Sequence, residues 1–535
     1  MDRRTFLRLS LGGAASLGLG MAGVSCVRNH FDTIIRNGVI YTGDGKAPIK
    51  GDLAIKDGRI AAIGSNLGDS ADHIVDAKGM IVSPGFIDIH THTDTNLLVA
   101  PKGDSRIFQG ITTDVCGNCG EAAFPRWEEP DGFFNALEKN GMGINLASFV
   151  GEGDVRMAAV GDRNQPATRE QIEKECAILR SLLEVGAVGL SYGLEYTPGS
   201  YSSDEEIIAL NKVVAEYDAL YAIHMRNEDD HVEEAVAEAI RYARESGARL
   251  EISHLKAQNE ANWHRLPKLL AMIDEASKDI DIAFDRYPYT AFSTGFTSFI
   301  PLSHRDGSDE DIKARLNDPA ACRIIAEYCD SRVKRLGGPQ NVLVAGCSNP
   351  ENSIYSGKNI EECCAISGMD VWPMIRHLLL SENLGVQMAG FAMKESNLEM
   401  IYAHRLSMPG SDGSVYSPEG PLSLEIPHPR SYGTFPRFFE KYVREKKVMD
   451  MAEAIHKCTQ MPAERLHIKE RGLLVPSYHA DVVIFNPDTI ADVATYAQPH
   501  TFPTGIEHVF VNGVHAISKG EHTGALAGQV VRRNV

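Results

Sequence analysis

Four histidines stand at the ends of apolar runs. His90-Thr91-His92 follows Ile81 to Ile89, His224 closes Tyr221-Ala222-Ile223, and His254 follows Leu250-Glu251-Ile252-Ser253. In a strand, residues two apart point to the same side, so His90 and His92 can reach one ion. That spacing alone carries nothing, because 19 histidines scattered over 535 positions give about 0.7 His-x-His pairs. Recurrence at strand ends carries the argument, since imidazoles gathered at one barrel mouth suit zinc. Val115-Cys116-Gly117-Asn118-Cys119-Gly120 adds a CxxC, either thiolate of which could be a further, soft ligand. No second CxxC exists, so neither a zinc finger nor a thioredoxin-like site is supported. Met408-Pro409-Gly410-Ser411-Asp412-Gly413 places a carboxylate at another run's end, where it could hold a metal and accept a proton from water. Imidazoles, a thiolate and a carboxylate together spell metal-assisted hydrolysis.

Elements of two kinds must position these groups. Residues 31–83 alternate short apolar runs with turns: Asn37-Gly38 is expected to join a strand pair, and Asp57-Gly58 a second hairpin. Ala480 to Phe485 and His508 to Val514 repeat that style, so 31–83 and 465–535 are expected to meet in one small β-sandwich. Between them, buried-strand runs such as Met80-Ile81-Val82, Ala187 to Leu190 and Leu250 to Ile252 alternate with helical patterns. Ser203-Asp204-Glu205-Glu206 reads as a capping box, and a helix from about His231 is expected to stop at Gly247. Repeated β-then-α units over 84–464 predict a (β/α)8 barrel. Residues 291–400 exceed what one barrel unit needs and predict an inserted lid or subdomain.

The composition is that of a large globular protein, 43% hydrophobic and 23% charged. Its formal charge of −19 disfavours nucleic acid or an anionic membrane as principal partner. Ten cysteines in such a length do not make a disulfide framework. Residues 1–30 read as an export signal: Arg3-Arg4 with Phe6-Leu7, then no charge from Leu9 to Val24, resemble the twin-arginine type. The expected location is therefore periplasmic or extracytoplasmic. Ala22 to Cys26 loosely resembles a lipoprotein cleavage box, which would attach the chain to a membrane through Cys26.

The run Pro84-Gly85-Phe86-Ile87-Asp88-Ile89-His90-Thr91-His92-Thr93-Asp94 resembles the opening signature of the amidohydrolase superfamily. Gly117 to Gly120, His224 to Glu228, Ser253 to Lys256, Gly410 to Gly413 and Pro427 to Pro436 resemble its N-acyl-D-amino-acid deacylase (D-aminoacylase) branch. The similarity extends from about residue 31 to the C-terminus. It implies a zinc ion held tightly by Cys119, His224 and His254, and a second, weaker metal position at His90, His92 and Asp412. It implies Asp412 as catalytic acid and base, acting on a small-molecule N-acyl-D-amino acid. Lys256, Tyr287, Ser293 and Arg430 fall where the branch binds the substrate's carboxylate and acyl group, and two cations there imply a local basic pocket. Glu195, after the fourth strand candidate, stands in the region where other branches place a bridging lysine or glutamate, and it could bridge two metals or support a ligand. The stretch from Gly413 to Pro427 is longer than the branch pattern. Cyclic-amide hydrolases of dihydropyrimidinase or dihydroorotase type, and dipeptidases, are the rival readings within the superfamily; no strand-end lysine stands clearly in their bridging slot. A metal-free binding scaffold is the rival of another class, and all six candidate ligands are present against it.

Overall fold

The computed structural model describes residues 30–124 and 127–533. The export signal and Cys26 lie outside these residues.

Eight parallel strands form the barrel. In order they are Phe86–Asp88, Ile111–Cys116, a third running from Asn145–Ser148 into Val150–Gly151, then Gly189–Gly193, Leu220–His224, Arg249–Ile252, Ile282–Arg286 and Ser407–Pro409. Phe149 donates its N–H to the Cys116 carbonyl, which keeps the third strand in the sheet across its break. The ring closes between the eighth and first strands, where Asp412 N–H meets the His90 carbonyl at 2.8 Å and His92 N–H meets Gly413 at 2.7 Å. The seam of the barrel thus runs through candidate site residues. Helices Arg169–Glu184, Asp204–Glu216, Val232–Ser246 and Leu266–Ala276 cover the outside. Ser203 and Glu206 form the expected capping box, and Gly247 ends the next helix in the left-handed conformation that glycine tolerates.

Both ends of the chain contribute to one nine-stranded sheet. Strand Ile81–Pro84 pairs antiparallel with Val482–Phe485 on one side and parallel with Phe31–Ile40 on the other. Alternation along 482–485 divides its side chains. Val482 and Ile484 join Ile35, Leu53, Ile55 and Phe510 in the sheet's own core, while Val483 and Phe485 pack into the barrel core.

Two local readings are corrected. Asn37-Gly38 is a bulge inside one continuous strand, Phe31–Ile40, and not a hairpin turn. Asn37 takes φ +59, and a Cβ on Gly38 would lie 2.5 Å from Val82, so turn chemistry here bends a strand across its neighbour. Met80-Ile81-Val82 does not start the barrel, because the apolar run breaks at Gly85 and its first half belongs to the terminal sheet. A Cβ on Gly85 would meet the buried Thr112 hydroxyl at 2.1 Å and its methyl at 2.4 Å. Gly85→Ala is therefore expected to cost about 1–3 kcal/mol through overpacking, seen as a lower melting temperature in calorimetry; an unchanged melting temperature would contradict this packing.

Residues 291–391, between the seventh and eighth barrel strands, contain their own three-stranded sheet: Ala291–Gly295, Gln387–Phe391 and Val342–Gly346. Helices Pro319–Arg335 and Val371–Ser381 pack on it around Ile325, Val333, Met374 and Leu378. Among the described residues no helix is long and apolar enough to cross a membrane.

Candidate metal centre

The site sits at the C-terminal ends of the barrel strands. Below it, buried Arg106 contacts Asp88, Asp114 and the Ser411 hydroxyl, and Ser411 N–H donates to Asp88. This network pins the first and eighth strand ends against each other and so sets the Asp412 peptide. Cys119, His254 and Asp412 have φ of +56°, +37° and +51°, backbone conformations that L-residues rarely hold without support. The support around Cys119 is close packing: a Cβ on Gly193 would lie 2.0 Å from the Cys119 carbonyl, so the fourth strand must present glycine there.

Nitrogen, sulfur and oxygen donors converge from five strand ends. Cys119 Sγ lies 3.4 Å from His90 Nε2 and 3.5 Å from His254 Nε2, and His224 Nδ1 lies 2.9 Å from His254 Nε2. Asp412 Oδ1 is 3.0 Å from His92 Nε2 and 3.5 Å from His90 Nε2. Two overlapping groups have the spacing of a metal site, sharing His254: His90, Cys119, His254 and Asp412, and His224, Glu228 and His254. Cys116 is elsewhere, inside the barrel core, with burial pushing its thiol well up. Burial also pushes Cys119 up, but His90 and His254 and bonds from His224 and His254 outweigh it, holding this thiol well below its usual range. Asp412 behaves alike: against burial, Arg430 and then His92 hold its carboxyl well below the ordinary range. A soft thiolate, imidazoles and a carboxylate are donor types that fit zinc, and a metal bound here would displace the protons that, against burial, the neighbouring carboxylates and Cys119 hold on His90, His92 and His224.

His90 and His254 have their far nitrogens held by carboxylates that the sequence reading did not name as site residues. His90 Nδ1 is 3.1 Å from Asp285, which also accepts the His254 N–H at 2.9 Å. His254 Nδ1 is 3.0 Å from Glu228, and the same carboxylate takes the Lys256 ammonium. Such partners fix the ring orientation and tautomer of a metal-binding histidine. Glu228→Gln is expected to weaken zinc binding about 10–100-fold, read by competition with a chelator of known affinity; unaltered affinity would remove Glu228 from this role.

Glu195 falls outside both donor groups. Its carboxylate lies 3.3 Å from His224 Nε2, the nitrogen turned away from His254, where it supports that ring. Arg332, reaching in from helix Pro319–Arg335, pairs with Glu195 at 3.6 Å.

Lys256, Tyr287, Ser293 and Arg430 all line the same cavity, of about 1030 Å³, as His92, Cys119, His224, His254 and Asp412. Arg430 Nη1 donates to Asp412 Oδ2 at 2.7 Å and its guanidinium stands 5.0 Å from the Tyr287 ring centre. Tyr287 is fully buried, and its hydroxyl has no hydrogen-bond partner. His428 accepts the Arg430 N–H on Nδ1 at 3.0 Å and bonds the Ala291 carbonyl through Nε2; burial, then Arg430, keep it well below its usual pKa, hence neutral. The expected basic pocket is not net basic: Lys256, Arg332 and Arg430 line the cavity with Glu121, Glu195, Glu228, Asp412 and Glu425. Buried cations need partners, and each of these three has one: Glu228, Glu195 and Asp412.

Comparison with known proteins agrees with this geometry. Residues 73–154 and 416–516 match the model of the amidohydrolase family. An N-acyl-D-glutamate deacylase of Alcaligenes xylosoxydans xylosoxydans is 33% identical over 95% of this chain and 98% of its own length. A D-aminoacylase of the same organism is 32% identical over 94% and 98%. The crystal structure of N-acyl-D-glutamate deacylase from Bordetella bronchiseptica, complexed with zinc and a phosphonate mimic of the tetrahedral intermediate, superposes with a TM-score of 0.79 at 33% identity, covering 94% of this chain and all of that one. With barrel, terminal sheet and donor set on one chain, and this similarity along nearly its whole length, the protein is an amidohydrolase of the N-acyl-D-amino-acid deacylase branch.

Proposed function

We propose that the protein is a zinc-dependent hydrolase that cleaves the amide bond of N-acyl-D-amino acids to a carboxylate and a free D-amino acid. The observation that carries this reading is the convergence of Cys119 with His90, His224 and His254, with Asp412 and the unsatisfied Tyr287 hydroxyl at one cavity. Zinc held by Cys119, His224 and His254 would polarise the amide carbonyl and make hydroxide available near neutral pH. His90, His92 and Asp412 would hold a second, weaker ion. Asp412 takes a proton from the attacking water and returns it to the leaving nitrogen, so the new C–O bond and the broken C–N bond balance without another reactant. The Tyr287 hydroxyl donates to the developing oxyanion, a use that its lack of a resident partner allows. Lys256 and Arg430 bind the α-carboxylate, with Arg430 able to do so bidentately, and Ser293 lies beside the acyl group. Fixing the carboxylate and the amide at separate points is what selects one enantiomer.

Paired N-acetyl-D and N-acetyl-L amino acids, assayed with and without chelator, test the reading. Chelator-sensitive release of amine from the D series is expected. Hydrolysis of the L series alone would refute the stereochemistry, and less than about 0.5 zinc per chain after careful purification would favour a scaffold without the metal. The rival cyclic-amide reading predicts ring opening of a hydantoin or dihydropyrimidine under the same conditions. Export belongs to this proposal too: Arg3-Arg4, Phe6-Leu7 and the uncharged run to Val24 support it, and fractionation of cells carrying Arg3→Lys, Arg4→Lys tests it.

A further inference from the structure

The cavity is much larger than the reaction needs. At about 1030 Å³ it stands at the top of the roughly 300–1,000 Å³ that accommodates drug-sized ligands, several times an N-acetyl amino acid. Most of its charge is paired near the metal centre, Glu121 lines the wall as well, and Glu425 stands exposed between Leu424 and Ile426. Lys256–Glu228, Arg430–Asp412 and Arg332–Glu195 are all tied to the metal centre or the histidines around it. The remaining wall comes from barrel-loop residues Glu121, Tyr196 and Gln258 and from two segments outside the barrel, whose apolar side chains stand among polar ones such as Thr294, Thr297, Ser348 and Gln387. One is the insertion, which presents Phe292, Ala345, Gly346 and Gly385; the other is the loop after the eighth strand, which presents Pro421, Leu424 and Ile426.

These segments meet. A Cβ on Gly346 would lie 3.4 Å from the Ile426 nitrogen and 3.5 Å from its side chain, so the loop rests on the insertion's sheet. The loop is tied at both ends: Tyr416 N–H bonds Ser105 and Ser417 bonds Asp104 on the barrel side, and His500 donates to the Glu425 carbonyl at 2.7 Å. Between these anchors Leu424 is 84% exposed, the highest value among the large apolar side chains of the described residues, and it borders the cavity. An apolar side chain held in water at the mouth of a ligand cavity gains only when a ligand covers it.

We propose that the Leu424–Ile426 segment and the facing insertion strands form an acyl-chain subsite, so that the substrates are N-acyl-D-amino acids with an acyl group of about six to ten carbons. The inference rests on the hydrolase reading above and names its substrate class. A D-amino-acid side chain ends close to the α-carbon, whereas a fatty acyl chain bonded at the reacting carbonyl can run from the metal centre past Phe292 to Leu424. The reaction remains hydrolysis; water adds to the carbonyl, the C–N bond breaks, and a fatty acid leaves with the amine.

The test measures kcat/KM of the zinc-loaded protein for N-acetyl, N-butyryl, N-hexanoyl and N-octanoyl derivatives of D-leucine and of D-glutamate. The expected result is a rise of at least about tenfold from acetyl to octanoyl, each buried methylene adding a few-fold. Leu424→Asp, a surface substitution with little bearing on folding, should reduce the octanoyl-to-acetyl ratio to near one. A flat or falling series overturns the inference while leaving the hydrolase reading standing. A rise that survives both Leu424→Asp and Ile426→Asp overturns the location of the subsite. No turnover of any member refutes the hydrolase reading and this inference with it.

Discussion

Asp412→Asn should leave a folded, zinc-containing protein whose kcat is about 10³–10⁴-fold lower, a loss of roughly 4–5.5 kcal/mol of barrier lowering. The backbone at Asp412 is set by other groups, namely its own N–H on the His90 carbonyl and the adjacent Ser411 on Asp88 and Arg106, so the substitution does not unpick the barrel seam. The substitution leaves Cys119, His224 and His254, the proposed tight donor set, as they are. The two oxygens, however, are both in use. Oδ1 faces His92 at 3.0 Å and Oδ2 accepts from Arg430 at 2.7 Å, and an amide has only one oxygen to offer the two. The variant therefore loses the proton acceptor and turns an N–H₂ toward His92 or Arg430, which should raise KM as well. Metal content by elemental analysis alongside steady-state kinetics separates these effects. Near-normal turnover in a metal-replete variant would assign the proton transfer elsewhere.

The donor residues were legible because barrel chemistry collects at strand ends. The same rule applied to carboxylates would have found Asp285, next to last in the run Ile282–Arg286, as His224 is last in its own. Glu228 lay inside the motif that begins at His224, but its role depends on a loop folding back to bring it under His254, which no periodicity encodes. Arg332 was out of reach for a stronger reason. It sits on a helix of the insertion, with its own core, and meets Glu195 only because that insertion docks over the fourth strand end. Its neighbours on the helix give no sign of this.

The fold shows the same division between local and tertiary information. Asp57-Gly58 and Asn37-Gly38 have equivalent turn chemistry, with φ of +51 and +59 at the first residue, yet one closes a hairpin and the other bulges a strand. The difference is the partner: Phe31–Ile40 lies between strands on both sides and must continue, so the positive φ is spent on curvature. Likewise, burial runs unbroken from Ile81 to Ile89, Ser83 and Asp88 included, and only the close approach of Thr112 to Gly85 marks where the chain leaves one sheet for the other.

Cys119→Ser should abolish tight zinc binding, with affinity falling more than about 100-fold. Losing merely the outer partner of a ligand costs 10–100-fold, so losing the ligand itself must exceed that. Serine keeps the size and the strained backbone at φ +56 but offers a hydroxyl that does not ionise near neutral pH, where the thiolate is already held ready by His90 and His254. Activity should fall with the metal and return in part when zinc is supplied in large excess, because His224 and His254 still present Nδ1 and Nε2 within 2.9 Å of each other. Cys116→Ser is the matched control. That thiol is fully buried in the large hydrophobic core, so a hydroxyl there should lower the melting temperature while zinc affinity stays as it was. If the two serine variants instead lose zinc to the same extent, the CxxC acts as a pair and the assignment of a single cysteine ligand fails. If only Cys119→Ser loses it, one thiolate decides whether the five donors around it hold a metal, because it is the soft ligand and the one whose charge the surrounding imidazoles already stabilise.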